Sequence, residues 1–360
     1  MQQKTVKLPT RRMLLRSAIA MGIACASPEL SLGADSAAAG RRIPKTMRAA
    51  AFDRYGGPEV ITLHTLPVPT LGPGEVLIAV HDAAVGSWDG DLRAHAVKYF
   101  SGKFPVVLGV DGAGTIAAVA PDVHGFKVGD RVYAYQWNVP KGGFYAQFVA
   151  INTKAVGHVP SGVSLRDAAA IGVEGLTALQ GIDDALHIGR GQTILIHGAS
   201  GGVGLPAVQF AKLRGARVLA TASGEDGMAL VKRLGADAAV DGRHGDIPAA
   251  ARAFAPGGVD AVLGLAGGEP LEQCAATLHK GGQLAFPHGI EKEPHPREGV
   301  KIIAYDAVTG PAEFDRLNEA IIASKLTMPI VAEFPLAQAA KAHERLAAGH
   351  VLGRIVLKVR

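Results

Sequence analysis

The stretch "TILIHGASGGVGLPAVQFAK", residues 193–212, decides the fold, because it joins a strand pattern to a helix pattern through a run of glycines. An apolar, β-rich segment comes first, and an apolar helical segment follows the glycines. Between them the spacing is Ala199-x-Gly201-x-x-Gly204, which can also be written Gly198-x-x-Gly201-x-x-Gly204. Small residues at these points allow a tight turn, a close approach of the main chain to a diphosphate, and close packing of the helix on the sheet.

The start of that helix is suited to an anion. Its first N–H groups have no partner within the helix, and the helix dipole places partial positive charge beside them. Strand, glycines and helix together therefore predict a dinucleotide site, and the alternative is a tight turn without a ligand. The residues predicted to contact the cofactor here are Gly198, Ala199, Gly201, Gly202, Val203 and Gly204.

The end of the second predicted strand indicates which dinucleotide binds. A carboxylate about 20 residues beyond the glycines would bind the ribose 2′-hydroxyl of NAD. Ala222 occupies that position and Ser223 follows it, so the sequence favours NADP(H) over NAD(H). Arg243, after the third predicted strand, is the cation expected to assist Ser223, whereas Glu225 and Asp226 count against a phosphate there.

Two patterns of secondary structure follow one another along the chain. From Met47 to about Asn152, short β-rich runs are broken by glycine and proline, which predicts a small β domain. From about Ser164, apolar strands alternate with helical segments, which predicts a parallel sheet covered on both faces. The predicted fold class is α/β, with a β-rich domain and a doubly wound parallel-sheet domain. The last strand, within residues 353–359, is expected to return to the first domain.

Composition and charge exclude several classes of function. Residues 1–46 hold eight Lys and Arg against two acids, which gives this segment a net charge of +6. Because the whole chain has a formal net charge of +5, the remaining residues sum to −1. No basic surface is therefore predicted to bind nucleic acid. Of the two cysteines, Cys25 lies in the leader and leaves Cys274 alone in the body, which excludes an internal disulfide there and a cysteine-rich zinc lobe.

The leader, residues 1–46, has the order of an export signal. Basic "TRRMLLR" (10–16) precedes apolar "SAIAMGIACAS" (17–27), and small residues follow in "LGADSAAAG" (32–40). The paired arginines resemble a twin-arginine signal, so a periplasmic location is expected. The apolar run is too short to span a membrane as a permanent helix. The alternative is a cytoplasmic protein whose translation begins at Met47.

Several motifs in order resemble the medium-chain dehydrogenase/reductase superfamily and, within it, the zinc-independent quinone oxidoreductase group. Besides the glycine-rich turn they include "MRAAAFDRYGGPEV" (47–60), "PVVLGVDGAGTIAAVAPDVHGFKVGDRVYAY" (105–135), "GGFYAQFV" (142–149), "AAAIGVEGLTALQGI" (168–182) and "GRIVLKV" (353–359). The resemblance covers residues 47–360. It implies a GroES-like catalytic domain (47–165), a Rossmann NADP-binding domain (166–310) and a C-terminal return to the catalytic domain (311–360). The active site is expected in the cleft between the two domains.

The resemblance also identifies the positions of zinc ligands. Where zinc-dependent members have two cysteines and a histidine, this chain has Gly86, Val173 and Val110. None of these side chains can ligate, so no metal is expected, and alcohol oxidation lacks the Lewis acid that stabilises an alkoxide. The expected reaction is hydride transfer from NADPH to a quinone or an α,β-unsaturated carbonyl, a small molecule whose conjugated oxygen takes the electron pair.

Four aromatic residues are candidates for the cleft, because a flat conjugated acceptor stacks well on rings, and ordinary core or surface packing is the alternative for each. Tyr99 and Tyr145 are the phenols expected to hydrogen-bond the acceptor, and Trp88 and Trp137 are the indoles expected to stack on it. The further cofactor contacts are expected from Ala266 and Gly267 at the nicotinamide, and from Arg354 at the phosphates, with an exposed surface cation as the alternative for Arg354.

Departures from the group keep a second function open. The asparagine and tyrosine common at the positions of Gly86 and Asp91 are absent, and so is the lysine commonly used for the 2′-phosphate at Gly227. The alternative is a non-catalytic NADP(H)-binding sensor or structural protein on the same scaffold. Dimers are common in the group, which leaves a homodimer open.

Overall fold

Three β-sheets organise the described part of the chain, residues 43–95 and 103–360 of a computed structural model. Residues 1–42, which hold the predicted export motifs, lie outside the described residues, and so does the candidate phenol Tyr99.

The first half of the described chain is rich in strands, as its alternating apolar residues and turns predict. Its elements are β1 (Thr46–Phe52), β2 (Thr62–Pro67), β3 (Glu75–Val85), α1 (Ser87–Arg93), β4 (Val106–Val107), β5 (Asp111–Val119), β6 (Arg131–Tyr135), β7 (Phe148–Asn152) and β8 (Val156–His158). Strands β2, β1 and β4 form one small sheet, while β3, β5, β6 and β8 follow one another in a larger one. Val76, Ile78 and Val80 of β3 point to one side and are fully buried, which is the period-two pattern of a strand on a core.

The second half alternates helix and strand. Its elements are α2 (Leu165–Ala169), α3 (Gly172–Gln180) with a π-helical turn (Gly181–Ala185), β9 (Thr193–His197), α4 (Gly204–Leu213), β10 (Arg217–Ala222), α5 (Gly224–Arg233), β11 (Ala238–Asp241), α6 (Ile247–Phe254), β12 (Val259–Gly264), α7 (Glu269–Ala275), β13 (Leu278–Pro287), β14 (Lys301–Tyr305) and α8 (Pro311–Ser324).

The six strands β9–β14 form one parallel sheet in the order β11-β10-β9-β12-β13-β14. This is the doubly wound order in which a ligand crevice opens between β9 and β12, where the strand order reverses. The fold class expected from the sequence, a GroES-like β-rich part with a Rossmann parallel sheet, is confirmed.

The C-terminal segment closes the larger sheet of the first half. It consists of β15 (Ile330–Pro335), α9 (Ala339–Ala347) and β16 (Arg354–Lys358). Strand β16 pairs antiparallel with β3, and Ile355 stands opposite Val85. This register brings Arg354 to the end of β3, next to α1.

Residues 43–360 group as one compact unit, so the domain boundaries predicted after residues 165 and 310 stay predictions. Within residues 43–95 and 103–360, every helix is too short or too polar to cross a membrane.

Candidate cofactor and active site

The glycine-rich turn, which we call the cradle (residues 198–204), is fixed at both ends by the main chain. Gly198 has a φ of +81°, the left-handed conformation that glycine adopts without strain. The N–H of Ala199 donates to the carbonyl of Thr221 on β10 at 2.9 Å. A Cβ on Gly204 would stand 2.5 Å from the Ala199 Cα, so only glycine lets α4 begin this close to the strand.

The last residue of β9 supports the turn without adding charge. His197 Nδ1 lies 2.8 Å from Thr221 Oγ1, and the Gly198 N–H donates to the same hydroxyl at 3.1 Å. Burial lowers the pKa of His197 to about 4, so its imidazole is neutral near pH 7. The attraction for an anion at this point therefore comes from main-chain groups and the helix dipole.

The Gly201 side of the cradle is open, whereas its Gly202 side packs against Glu174. A Cβ on Gly201 would meet the Gly198 carbonyl at 3.4 Å and nothing closer, while one on Gly202 would meet Glu174 Oε1 at 3.0 Å. Helix α4 then runs for ten residues, Gly204–Leu213, with its N-terminus at the cradle. The residues present thus fit the diphosphate of a dinucleotide.

A second cluster of polar groups lies at the end of β10, where the adenosine ribose of a bound dinucleotide is expected. The Ser223 N–H donates to Ser200 Oγ of the cradle at 3.1 Å. Ser223 Oγ lies 3.2 Å from His350 Nδ1, and His350 Nε2 lies 2.9 Å from Asp226 Oδ2. The hydrogen bond from His350 holds the pKa of Asp226 below its usual range.

The sequence did not predict His350 in this cluster. The residue lies between α9 and β16, and only the return of the C-terminal segment brings it to Ser223. The predicted cation Arg243 is exposed on the loop after β11, and the Gly242 N–H ties that loop to the Ala222 carbonyl at 2.8 Å. His350 thus lies at Ser223, and the contact of Arg243 with a 2′-phosphate stays a prediction.

Arg354 is the centre of a buried ionic cluster beside the cradle. Its Nη1 forms a very short ion pair with Glu174 Oε1, and its Nη2 lies 3.5 Å from Asp111 Oδ2. The exposed fractions are 5% for Arg354, 1% for Glu174 and 0% for Asp111, so the alternative of a surface cation is wrong. Arg354 Cδ would lie 3.4 Å from a Cβ on Gly202, which places the cluster directly under the cradle. Contact with the phosphates themselves stays a prediction.

Burial dominates the protonation of this cluster. It raises the pKa of Glu174 to about 7 and that of Asp111 well above its usual range, although Arg354 acts in the opposite direction on both. Three buried atoms of the cluster and one of the adjacent Trp88 have no hydrogen-bond partner among the described residues. They are Asp111 Oδ1, Glu174 Oε2, Arg354 Nε and Trp88 Nε1. One signal for Glu174 exists in the sequence, since it is a lone charge within the apolar run "AAAIGVEGLTAL".

Asp89 and Tyr145 form a separate buried network. Asp89 accepts the N–H groups of Gly86 and Gly109 at 3.0 and 3.1 Å, and the hydroxyl of Tyr145 at 3.2 Å. Tyr145 is fully buried, and its hydroxyl also lies 3.2 Å from His343 Nε2. Burial raises the pKa of Asp89 to about 6. The Tyr145 phenol thus donates to Asp89, and its predicted hydrogen bond to an acceptor stays a prediction without support from this geometry.

The positions of the zinc ligands are filled by other groups. A Cβ on Gly86 would fall on the indole of Trp88, so this ring takes the space into which a cysteine side chain would extend. Val110 and Val173 are both buried. The Arg354 guanidinium lies 5.7 Å from the Trp88 ring centre. Within residues 43–95 and 103–360, no three His, Cys, Asp or Glu side chains are arranged to hold a metal ion.

The predicted nicotinamide loop begins at the crevice of the parallel sheet. The Leu265 N–H donates to the carbonyl of His197 at 3.0 Å, which holds the loop against the end of β9. Its next residues, Ala266 and Gly267, continue away from the strand, and Gly267 packs against the main chain of Glu291. A contact of this loop with a nicotinamide stays a prediction.

Comparisons with known proteins agree with this architecture. Residues 72–161 match the family of alcohol dehydrogenase GroES-like domains, and residues 202–302 match the zinc-binding dehydrogenase family. The quinone oxidoreductase of Mus musculus is 31% identical over 321 residues, which are 85% of this chain and 95% of the mouse protein.

Two solved structures have folds similar to that of this chain. An NAD-dependent alcohol dehydrogenase is 31% identical with a TM-score of 0.79, covering 87% of this chain and 100% of its own. A mycobacterial protein in complex with NADPH is 29% identical with a TM-score of 0.76, also covering 87% of this chain and 100% of its own.

Proposed function

We propose a reductase activity for this chain, which belongs to the quinone oxidoreductase group of the medium-chain dehydrogenase/reductase superfamily. The substrate is a quinone or an α,β-unsaturated carbonyl, and the electron donor is NADPH. Family membership makes the chain an oxidoreductase of quinone oxidoreductase type. The acceptor, the preference for NADPH and the direction of the reaction are our proposal.

One observation carries the proposal: a cradle that fits a diphosphate lies beside zinc-ligand positions taken by Gly86, Val110 and Val173. Glycine and valine side chains cannot polarise a carbonyl or stabilise an alkoxide, so this chain depends on an acceptor that needs no Lewis acid. A conjugated acceptor meets that condition because its oxygen delocalises the incoming charge.

The residues of the chain supply position and an apolar environment. Bound NADPH supplies the hydride. The cradle amides would hold the diphosphate. The half-buried indole of Trp88 and the exposed indole of Trp137, at 6.5 Å between ring centres, form an aromatic wall beside Arg354. Flat conjugated rings pack well on such a wall. Ser223, His350 and Arg243 are the groups proposed to favour a 2′-phosphate.

The test is the oxidation of NADPH by a panel of quinones and enones, with and without a chelator. We expect turnover of at least one acceptor that is unchanged by chelation and greater with NADPH than with NADH. Turnover that appears only after Zn²⁺ is added, or oxidation of simple alcohols in preference to the reduction of these acceptors, would contradict the proposal. Tight NADPH binding with no turnover on any acceptor would favour the non-catalytic alternative.

We also propose that residues 1–46 direct export of the folded protein to the periplasm by the twin-arginine route, a pathway that carries folded proteins. The basic, apolar and small segments of the leader support this. N-terminal sequencing of the protein from cell fractions tests it. Recovery of periplasmic protein that lacks the leader is expected, and recovery only from cytoplasm with Met47 first would exclude export.

A further inference from the structure

The cluster under the cradle has more acids than bases. Asp111, Glu174 and the nearby Asp89 are all buried carboxyls, and Arg354 is the cation within contact distance of the first two. Buried carboxylates in excess of their partners are unfavourable, so such a cluster retains protons at a pH where exposed acids have lost them.

The same cluster lies where a dinucleotide would place its negative charge. Glu174 Oε1 and Arg354 Cδ lie 3.0 and 3.4 Å from the position of a Cβ on Gly202, in the middle of the cradle. Glu174 and Arg354 therefore lie directly behind the main chain that is proposed to hold the diphosphate. The carboxylate would repel it, and the guanidinium would attract it.

From this juxtaposition, and resting on the proposed binding of NADPH, we propose that Glu174 is a proton-coupled positioning residue for the cofactor. Binding of the diphosphate draws the Arg354 guanidinium from Glu174, and the Asp111–Glu174 pair takes up a proton from solvent in exchange. The affinity for the cofactor accordingly falls as the pH rises through neutrality.

The proton balance is simple. Before binding, Arg354 neutralises one carboxylate; after binding, its charge is shared with the diphosphate, and a proton on a carboxyl oxygen replaces it. Asp111 Oδ1 and Glu174 Oε2, which have no partner among the described residues, are the atoms open to that proton. No bond other than the O–H bond is formed, and no oxidant or reductant is needed.

Among the described residues, few ionisable groups face the Asp111–Glu174 pair. Besides Arg354 from β16, they are Asp89 from α1, Tyr135 from β6 and Tyr145, which lies behind Asp89. Burial raises the pKa of both tyrosines above the ordinary value, so they stay neutral near pH 7.

Helix α8 also packs on α3, and two of its charged residues interact with other groups. Arg316 pairs with Asp184, and the charge of Asp315 adds to burial in raising the pKa of Tyr133. Burial raises the pKa of Glu174 to about 7 and that of Asp89 to about 6, and it raises the pKa of Asp111 well above its usual range.

The direction of the pH dependence follows from the linkage between proton binding and cofactor binding. Protonation favours the bound state, so the free protein binds the cofactor best below the pKa of Glu174 and progressively less well above it. One coupled proton changes the dissociation constant by at most about tenfold per pH unit. The 2′-phosphate of NADPH titrates near pH 6, so the window from about pH 7 to about pH 8.5 largely excludes its contribution.

The experiment measures the Kd of NADPH by nicotinamide fluorescence across that window, and proton uptake by calorimetry in two buffers of different ionisation enthalpy. We expect the wild-type Kd to rise about tenfold and binding to take up a fraction of a proton near pH 7. Glu174→Gln should bind about tenfold more tightly than wild type at the upper pH, with a flat profile and little uptake.

Glu333→Gln is the matched control, since it removes an exposed carboxylate that pairs with Arg166, and it should keep the wild-type profile. If Glu174→Gln does not fold, the same Kd and proton-uptake measurements on Asp111→Asn test the inference. A wild-type Kd that is flat with pH, or a Glu174→Gln variant that binds less tightly at every pH, overturns the inference alone. A wild-type chain that binds no NADPH overturns the proposed function and this inference together.

Discussion

The cradle and the buried ionic cluster are neighbours that are built in opposite ways. The cradle consists of consecutive residues, 198–204, whose attraction for an anion comes from main-chain N–H groups and a helix end. The cluster consists of side chains from β5, α3 and β16, and Arg354 is 243 residues from Asp111 in the sequence. One site is local and uncharged, and the other is assembled from distant charges.

The difference shows how each site responds to change. A main-chain site is preserved by any substitution that leaves the backbone path and the open face intact. A buried ionic site depends on every member, because removal of one partner leaves an unpaired charge in a medium that solvates it poorly. The cradle should therefore fail only when its space is filled, and the cluster should fail when its charge balance is broken.

The largest effect should come from Arg354→Met, which leaves Glu174 and Asp111 without their cation. We expect a loss of about 3–5 kcal/mol in the free energy of unfolding at about pH 8. The loss should be smaller near pH 6, because a carboxyl whose pKa is raised by folding contributes stability at low pH that disappears as the pH rises through the folded value.

Urea unfolding of wild type and variant at both pH values measures this effect. Arg166→Met, which breaks an exposed pair with Glu333, is the control and should lose about 1 kcal/mol or less. An equal loss at both pH values for Arg354→Met would mean that lost packing, and not unpaired charge, causes it.

The next effect should come from Gly201→Asp, which fills the open face of the cradle with a carboxylate. A Cβ fits at this position, so the fold should persist, but repulsion of the diphosphate should raise the Kd of NADPH by about a hundredfold or more. Gly257→Asp adds the same charge at a glycine with no atom near its Cβ position and serves as the control. NADPH fluorescence titration measures both. Unchanged binding by Gly201→Asp would place the cofactor elsewhere.

A smaller effect is expected at the ribose end, where the site again depends on a side chain from a distant segment. Loss of the proposed hydrogen bond to the 2′-phosphate in His350→Ala should raise the Kd of NADPH about tenfold and leave that of NADH nearly unchanged. His187→Ala, an exposed histidine bonded to a main-chain carbonyl, is the control. If Arg243→Ala has this effect and His350→Ala has none, Arg243 is the cation that selects the phosphate.

The smallest effect should come from Tyr145→Phe, which removes one donor from Asp89 and keeps the ring. The free energy of unfolding should fall by about 1 kcal/mol, with kcat/KM on an active quinone within about threefold of wild type. Paired urea unfolding and steady-state assays measure the two quantities. A hundredfold drop in kcat/KM at unchanged stability would instead restore the role of Tyr145 at the acceptor.

Sequence patterns predicted the elements whose physics is local. The strand, the glycines and the helix of the cradle follow one another directly, so propensity and backbone sterics specify them within twenty residues. The parallel sheet followed from the alternation of strands and helices for the same reason. The side-chain sites were harder, because the partners of Tyr145 lie 56 and 198 residues away.

The sequence by itself determined that this chain has a glycine-rich turn that fits a diphosphate, a doubly wound sheet, and glycine and valine at the positions of the zinc ligands. Each of these depends on the type of residue at one place in the chain. Only the tertiary structure decided that Arg354 is buried against Glu174 and Asp111 and that His350 meets Ser223. Both contacts depend on the return of the C-terminal segment to the first half of the chain, where β16 pairs with β3, and so they join residues that are far apart in the sequence.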